Sequence, residues 1–360
     1  QYIEKAVATY PELLQGEVDL CNMKKPPQWD ADFESRLRAA DVVLVTNMGV
    51  GLDSPFLERL ERWLYAHHPK YWIDVVEPKK TDILYRNLDE DKRVLLESYR
   101  RTSGVMNYVR LINGAFSTKP TSEWEEPDPI PWQAIMGREG NIYETYDEFM
   151  DAEGHRDWPS IAVYFYRDEW IMGDIYYQQA LFEEIYKHQY NPIIFYGQYG
   201  SNPRVGIPNM KLSMNHLFGK DIFPFDVLIN TCKFSFQSLG AQTLEELKLQ
   251  DVPIVQGYTI YMDEKSWAEN PQGVTPLDVN LSISQPELDG VIQGGVVACQ
   301  TYDERGHYVY LPVKERIVAI VQRAIKWSTL RHIPVSERKV AVILHNLSLI
   351  HISEPTRPIS

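Results

Sequence analysis

The sequence predicts an α/β protein in which repeated strand–helix units form parallel, doubly wound sheets of the Rossmann or flavodoxin-like kind, in two or more subdomains. Three observations carry this prediction. Short apolar runs of strand length recur along the 360 residues, stretches with helical spacing separate them, and glycine or proline marks the turns. Strands that alternate with helices are typical of a parallel sheet covered on both faces. Functional groups of such sheets gather at the carboxyl ends of the strands.

Residues 1–150 are predicted as a first α/β domain with a helical insertion and a linker. The apolar run 41–46 reads as a strand buried on both faces. A helix is expected from Pro55, because the apolar residues after it keep helical spacing. The remaining predicted elements are helices over 88–99 and 105–112 and an irregular linker over 119–132.

Residues 151–346 are predicted as a central α/β domain. Its expected strands lie at 161–166, 192–196, 225–230, 252–256, 291–298 and 340–344, and its clearest helices at 174–187 and 313–330. Residues 347–360 have no period that fits what precedes them. This tail resembles a translated sequencing-adapter sequence, so it is predicted to be non-native.

The composition limits the partners and the compartment. A net charge of −14 argues against nucleic acid, because phosphate binding needs clustered Lys and Arg. Three scattered cysteines are typical of reduced thiols in a cytoplasmic protein. No leader and no apolar run of about 18 residues is visible, so no membrane association is expected. The chain starts at Gln1, which favours a fragment.

Nucleotide and zinc motifs are absent from the sequence. There is no GxxxxGK[ST] phosphate loop, no GxGxxG after a strand and no HExxH. If ATP drives the reaction, a partner subunit is expected to hydrolyse it. His67 and His68 are neighbours that cannot share one helix face, which favours a surface pair over a metal site.

Polar residues follow several predicted strands. Arg167 and Trp170 come just past a strand, where the arginine could pair with a ligand carboxylate and the tryptophan could form a flat wall. The alternative is a strand-end salt bridge with Asp174 capping the next helix. The predicted substrate-binding set is Arg167, Trp170, Asn230, Gln256 and Trp267.

The segment Pro286-Glu287-Leu288-Asp289-Gly290 is predicted to form a tight bend between extended segments. Proline fixes its own φ and glycine permits positive φ. Two carboxylates would then stand at the mouth of a sheet, where they could accept protons or hold a cation. The alternative is a turn acid with no chemistry. The candidate metal ligands are Glu287, Asp289 and His345, and a histidine after the last strand is also compatible with a structural role.

Several segments resemble the large subunit of aerobic cobaltochelatase. The H-type large subunit of magnesium chelatase is similar in outline, with the same Trp…Gly…Pro-Glu-Leu-Asp-Gly order. The order and spacing of the segments over 160–346 carry the resemblance, and residues 1–150 match more loosely. The segments are Val163 to Asp174, Asp226 to Thr231, Val252 to Gln256, Ser266-Trp267, Gly273, Pro286 to Gly290 and Arg316 to Ala341.

The resemblance implies a piece of the tetrapyrrole-binding subunit of a multi-subunit, ATP-dependent metal chelatase. Co²⁺ would be the substrate metal, with Mg²⁺ possible, and a corrin precursor of cobalamin synthesis the macrocycle. Separate AAA+ subunits would hydrolyse ATP. Glu287 carries over as the candidate catalytic acid.

Two alternatives remain open. Within the family, the chain could belong to a magnesium chelatase H-type subunit or to a haem-acting relative. Outside it, the chain could be a non-enzymatic tetrapyrrole-binding module.

Overall fold

The computed structural model describes residues 2–21, 26–48, 55–67, 71–76, 83–86, 90–197, 208, 210–219, 222–236, 245, 248, 250–302 and 308–342. For residues 46–48, 71–76 and 83–86 the description covers the backbone alone. Within these ranges, no helix combines the length and the apolar character needed to cross a bilayer.

Helices and strands alternate through most of the described chain. The helices are α1 (Tyr2–Thr9), α2 (Ala31–Ala39), α3 (Pro55–His67), α4 (Glu90–Thr102), α5 (Val105–Phe116), α6 (Tyr146–Ala152), α7 (Arg167–Ile171), α8 (Tyr176–Lys187), α9 (Met210–Phe218), α10 (Glu264–Glu269), α11 (Pro276–Asp278), α12 (Gln285–Glu287) and α13 (Lys314–His332). A π-helical stretch, Val279–Ser284, joins α11 to α12. Short 3₁₀ turns cover Pro11–Leu13, Thr121–Glu123 and Val335–Glu337.

The first sheet has three strands in the order β1-β2-β3. These strands are Val43–Met48, Tyr71–Val76 and Ile83–Arg86. The first pair runs parallel and the second antiparallel. Between β1 and β2, α3 buries Leu57, Leu60, Trp63 and Leu64 at the spacing of one helix face, so the helix predicted from Pro55 is confirmed.

The second sheet has eight strands in the order β11-β10-β9-β8-β6-β7-β4-β5. The five neighbouring strands β10, β9, β8, β6 and β7 run parallel to one another. Strand β11 at one edge is antiparallel to β10, and at the other edge β4 is antiparallel to β7 and β5 to β4. The strands are β4 (Ala134–Met136), β5 (Ile142–Tyr143), β6 (Ser160–Tyr166), β7 (Asn191–Gly197), β8 (Val227–Asn230), β9 (Ile254–Ile260), β10 (Ile292–Tyr302) and β11 (Tyr308–Pro312).

The parallel strands confirm the predicted doubly wound α/β architecture. From β6 the chain moves outward to β7, then returns to the other side of β6 to form β8, β9 and β10. This is the flavodoxin-like order, and its switch point lies between β6 and β8. Both strands are almost wholly buried, as central parallel strands should be. Helices α8 and α13 contact each other and flank this sheet.

The second sheet begins before the predicted domain boundary at residue 150. Strand β4 pairs with β7 through Ala134, Ile135 and Met136, because its backbone groups complete the free edge of β7. A division at 150 would therefore cut through one sheet and one core. At the other end, residues 340–342 form no strand, and the rest of the strand predicted over 340–344 lies outside the described residues, as does the tail 347–360.

Candidate functional site

The switch point between β6 and β8 is filled by polar side chains of the chain itself. We call Glu169, Asp174, Tyr177, Lys233 and Tyr310 the switch-point cluster. The Tyr177 hydroxyl donates to Glu169 Oε2 at 2.7 Å and lies 3.0 Å from Thr231 Oγ1. Gln178 Nε2 donates to the same Glu169 oxygen at 2.6 Å. Burial raises the pKa of Glu169 to about 8, although the bond from Tyr177 opposes that shift.

Lys233 lies in an aromatic cage just after β8. It is only 4% exposed, and its Nζ lies 3.3 Å from the ring centre of Tyr261 and 5.4 Å from that of Tyr310. Nζ also donates to the Tyr310 hydroxyl at 3.3 Å. Burial lowers the pKa of Lys233 to about 8, against the attraction of Asp278 and Glu169. Cation–π contacts therefore replace part of the hydration that the ammonium loses.

Asp174 does not cap α8, contrary to the alternative considered from the sequence. The N-cap position belongs to Ile175. Both carboxylate oxygens of Asp174 instead accept from the backbone N–H of Tyr310, at 3.0 and 3.1 Å. This contact fixes edge strand β11 to the switch point, because a buried carboxylate needs donors.

Arg167 is a buried connector between the two parts of the chain. It is 2% exposed and donates to the carbonyls of Pro131 at 2.8 Å, Thr102 at 2.9 Å and Ile130 at 3.0 Å. Its guanidinium also stacks over the Trp132 ring at 4.3 Å. Burial lowers the pKa of Arg167. These bonds hold the linker and the end of α4, and a ligand role for Arg167 stays an untested prediction.

Asn230 and Gln256 are brought side by side in the interior. They occupy paired positions on β8 and β9, and Asn230 Nδ2 donates to Gln256 Oε1 at 2.8 Å. Both also donate to the carbonyl of Cys232, at 3.3 and 2.9 Å. Asn230 ends its strand as expected, but Gln256 lies inside β9, which runs on to Ile260. The pair holds the exit of β8, and substrate binding by it remains a prediction.

The two tryptophans of the predicted set have different neighbours. Trp170 donates to the carbonyl of Gly140 at 2.9 Å and stacks on Tyr196, with ring centres 5.3 Å apart. Trp267 lies in α10, with the Arg316 guanidinium 5.4 Å from its ring centre. Both are partly exposed. Their hydrogen-bond and ring partners differ, and contact with a substrate remains a prediction for each.

The sequence predicts Glu287 at or just after the carboxyl end of a strand, but the acidic turn, Pro286–Gly290, lies directly before a strand. It precedes β10, and the first residue of β10, Ile292, pairs with Val255 near the start of β9. In parallel strands such a turn stands at the amino end. The segment before it is also helical rather than extended, because α11, the π-helical stretch and α12 run together into the turn. The sequence predictions on both points were wrong.

The bend itself forms as predicted. Gly290 has φ of +77°, and its N–H donates to the carbonyl of Glu287 at 3.0 Å. The Glu287 side chain is exposed, and among the described residues no hydrogen bond or ion pair reaches its carboxylate. Burial and the nearby Glu287 charge raise the pKa of Tyr258. Glu287 is thus an accessible anion that can accept a proton or contact a cation.

Asp289 differs from Glu287 in that its carboxylate is bonded. Oδ1 accepts from Ser235 Oγ at 2.7 Å, and Oδ2 accepts from the backbone N–H of Phe236. Among the described residues, no three acidic, histidine or cysteine side chains form a metal-binding group. His345 lies outside the described residues.

A narrow recess lies beneath the helical segment before the acidic turn, and it has no space for a water-sized molecule. Its lining residues are Tyr258, Ile260, Val274, Asp278, Ser282 and Ile283. Sites for small organic ligands usually measure roughly 300 Å³ or more. This recess is therefore too small for a macrocycle.

Sequence reasoning missed Lys233, Glu169 and the anchoring of Asp289. Lys233 stands in the run Thr231-Cys232-Lys233 directly after a strand, which is a signal for a group at the sheet edge. The partners of all three come from distant parts of the chain, so their bonds have no local pattern.

Comparisons of the sequence with known proteins find relatives that are much longer than this chain. An uncharacterized protein of Methanocaldococcus jannaschii is 29% identical over 280 residues, covering 72% of this chain and 22% of that protein. The CobN component of aerobic cobaltochelatase from Pseudomonas aeruginosa is 24% identical over 236 residues, covering 62% of this chain and 18% of that protein. The H component of magnesium chelatase from Rhodobacter capsulatus is 27% identical over 117 residues, covering 28% of this chain and 10% of that protein.

The fold matches a solved structure described as the catalytic subunit of cobaltochelatase from Mycobacterium tuberculosis. The TM-score is 0.56 at 18% identity, covering 92% of this chain and 27% of that one. The chain therefore spans about a fifth to a quarter of the lengths of these larger relatives. A model of the CobN/Magnesium Chelatase family matches residues 97–350, more than half of the chain, and the protein therefore belongs to this family.

Proposed function

We propose that this chain is part of the large, tetrapyrrole-binding subunit of a metal chelatase that inserts Co²⁺ into a corrin precursor during cobalamin synthesis. Partner AAA+ subunits in the cytoplasm would supply ATP hydrolysis, in keeping with the absence of a phosphate loop from this sequence. One observation carries the catalytic part of the proposal. The accessible carboxylate of Glu287 stands on a rigid turn inside the region that matches the family model.

The chemistry of insertion suits such a group. A divalent metal enters the macrocycle as protons leave the inner ring nitrogens, one from a corrin or two from a porphyrin, and as the metal loses water. A carboxylate next to the ring can accept a proton, and in its ionised form it can attract the cation. Glu287 is the proposed acceptor.

The macrocycle would lie between this chain and the rest of the subunit. The recess near the acidic turn has no space for even a water-sized molecule, so it cannot enclose a tetrapyrrole. The relatives named above are several times longer than the matched regions, which leaves ample chain to complete a site. The isolated piece is therefore expected to be inactive.

The share of this chain that each relative matches supports the assignment of cobalt as the metal. The match to the cobaltochelatase protein covers 62% of this chain, and that to the magnesium chelatase protein covers 28%. Magnesium insertion and a haem-acting relative remain the alternatives within the family.

The test is reconstitution of the full-length parent subunit with its partner ATPases and ATP. A hydrogenobyrinic-type corrin precursor or protoporphyrin would be offered with Co²⁺ or Mg²⁺, and insertion followed by the absorbance shift of the macrocycle. The proposal expects insertion of cobalt into the corrin precursor to be fastest. Faster magnesium insertion into the porphyrin would overturn the metal assignment. Tight binding without insertion in every combination would favour a non-enzymatic binding module.

A further inference from the structure

The loop that leaves β8, residues 231–236, is fixed to the sheet at its start. The backbone N–H and the hydroxyl of Thr231 both donate to the Tyr164 carbonyl, at 3.0 and 2.9 Å. Two residues later, the N–H of Lys233 donates to the Tyr166 hydroxyl at 2.7 Å. Because Tyr164 and Tyr166 belong to β6, which pairs with β7 along its whole length, this end of the loop has little freedom to move.

The same loop then crosses to the helical segment that precedes the acidic turn. Phe234 has a positive φ of +72°, which is unfavourable for a residue with a side chain, and its N–H donates to the Leu281 carbonyl at 2.7 Å. The next two residues donate to Asp289, from the Ser235 hydroxyl at 2.7 Å and from the Phe236 N–H. The loop therefore joins β6 to the turn that carries Glu287.

The arrangement gives the two acids of the turn different tasks. Both oxygens of the Asp289 carboxylate already accept a hydrogen bond, whereas the Glu287 side chain is exposed. The bonds from Leu288 N–H to Gln285, from Asp289 N–H to Pro286 and from Gly290 N–H to Glu287 make the intervening backbone one tight unit. A restraint on Asp289 is thus also a restraint on the backbone of Glu287, two residues away.

We propose that Asp289 is a positioning residue rather than a metal ligand, and that Ser235 and Phe236 are its anchor; this inference rests on the proposed role of Glu287. The anchored turn holds the Glu287 carboxylate in one place relative to the macrocycle. A displacement of about 1 Å at a reacting group can cost up to roughly 10²-fold in rate. Loss of the anchor is therefore expected to slow insertion without weakening the binding of metal.

The experiment uses the full-length parent subunit with its partner ATPases. The variants are Ser235→Ala, Asp289→Asn, their double mutant, and Ser235→Thr, which keeps a hydroxyl. Ser328→Ala is the matched control, because the Ser328 hydroxyl also donates to a carboxylate, that of Asp226, at 2.7 Å and is 1% exposed. Insertion rate, the KM for the metal, tetrapyrrole affinity and the unfolding midpoint are measured for each.

The expected result is a drop in kcat of about tenfold for Ser235→Ala and for Asp289→Asn, with the KM for the metal unchanged. The double mutant should be no slower than Asp289→Asn, because the two residues act through one contact. Ser235→Thr should restore the rate, and Ser328→Ala should lower the unfolding midpoint without changing kcat.

Two results would overturn the inference. A raised KM for the metal in Asp289→Asn, with Ser235→Ala unchanged, would make Asp289 a ligand. Wild-type rates in both variants would remove any positioning role. Glu287→Gln in the same assay separates this failure from failure of the proposed function. If that variant inserts metal at the wild-type rate, Glu287 has no role, and the inference fails with it.

Discussion

The switch-point cluster and the acidic turn contain similar residues in opposite environments. In the cluster, Glu169 and Lys233 are bonded to tyrosines, and burial moves the pKa of each to about 8. In the turn, Glu287 is exposed, and no described residue pairs with its carboxylate. The first region uses its charges to join strands and helices. The second leaves one charge available to another molecule.

This contrast shows that a position at the carboxyl ends of parallel strands does not by itself leave a group open to a ligand. Doubly wound sheets usually bind ligands at the switch point, beside the carboxyl ends of the strands. Here the chain's own side chains, among them Lys233 and Tyr310, occupy that position. The accessible acid lies before β10, on a turn that is hydrogen-bonded to the loop leaving the carboxyl end of β8. Function must therefore be argued from the site itself.

The largest expected effect concerns the buried connector beside the cluster. Arg167→Met would leave the carbonyls of Thr102, Ile130 and Pro131 without their donor, so the free energy of unfolding should fall by about 3–5 kcal/mol. Arg62→Met is the matched control. Its side chain is 78% exposed and, among the described residues, pairs with Glu58 in the same helix, so its loss should stay within about 1 kcal/mol. Urea unfolding followed by fluorescence measures both. Equal decreases in the free energy of unfolding for the two variants would show that the buried bonds of Arg167 do not stabilise the fold.

A smaller effect should appear in the pH dependence of stability. The pKa of Glu169 is about 8 in the folded chain against an ordinary 4.5, so the folded state binds more protons between these values. Stability from this group is then fully present below about pH 4.5 and is lost as the pH rises through 8. The pKa of Lys233 is lowered from 10.5 to about 8, so its contribution increases again between pH 8 and 10.5. Together, the pKa shifts of Glu169 and Lys233 predict that the free energy of unfolding is lowest near pH 8.

Glu169→Gln should remove the decline in stability between pH 5 and 8, which we expect to be on the order of 2–4 kcal/mol. Glu139→Gln, at an exposed position, should keep the wild-type profile. Urea midpoints at each pH provide the measurement. A wild-type protein whose stability does not change from pH 5 to 8 would exclude a titrating Glu169.

Sequence patterns predicted the central elements well because those elements are local. The run at 161–166 became β6, and that at 313–330 became α13, since continuous apolar strands and long periodic helices depend mainly on their own residues. The acidic turn was predicted because proline and glycine restrict the chain within five residues. The segment before the turn was wrongly predicted as extended, and this error has a local cause as well. The π-helical stretch disturbs the 3.6-residue period of a helix, so the N-cap pair Thr275-Pro276 was the remaining signal for a helix there.

The site could not be predicted to the same degree, because its bonds are long-range. Ser235 and Asp289 are separated by 54 positions, and Lys233 and Tyr310 by 77. Such pairs are set by how strands order themselves in the sheet, and one sequence carries no pattern for that order. Asp289 therefore resembled Glu287 in the sequence, although only one of them is exposed in the fold.

The most direct test of this contrast between the switch-point cluster and the acidic turn compares two isosteric variants in the metal-insertion assay proposed above. Glu287→Gln and Glu169→Gln each remove one carboxylate, the first from the acidic turn and the second from the switch-point cluster. At pH 7, Glu287→Gln should lower the metal-insertion rate by about 10²-fold or more while tetrapyrrole affinity stays unchanged, and Glu169→Gln should remain within about twofold of wild type. Undiminished insertion by Glu287→Gln, or its loss in a folded Glu169→Gln protein, would contradict the account.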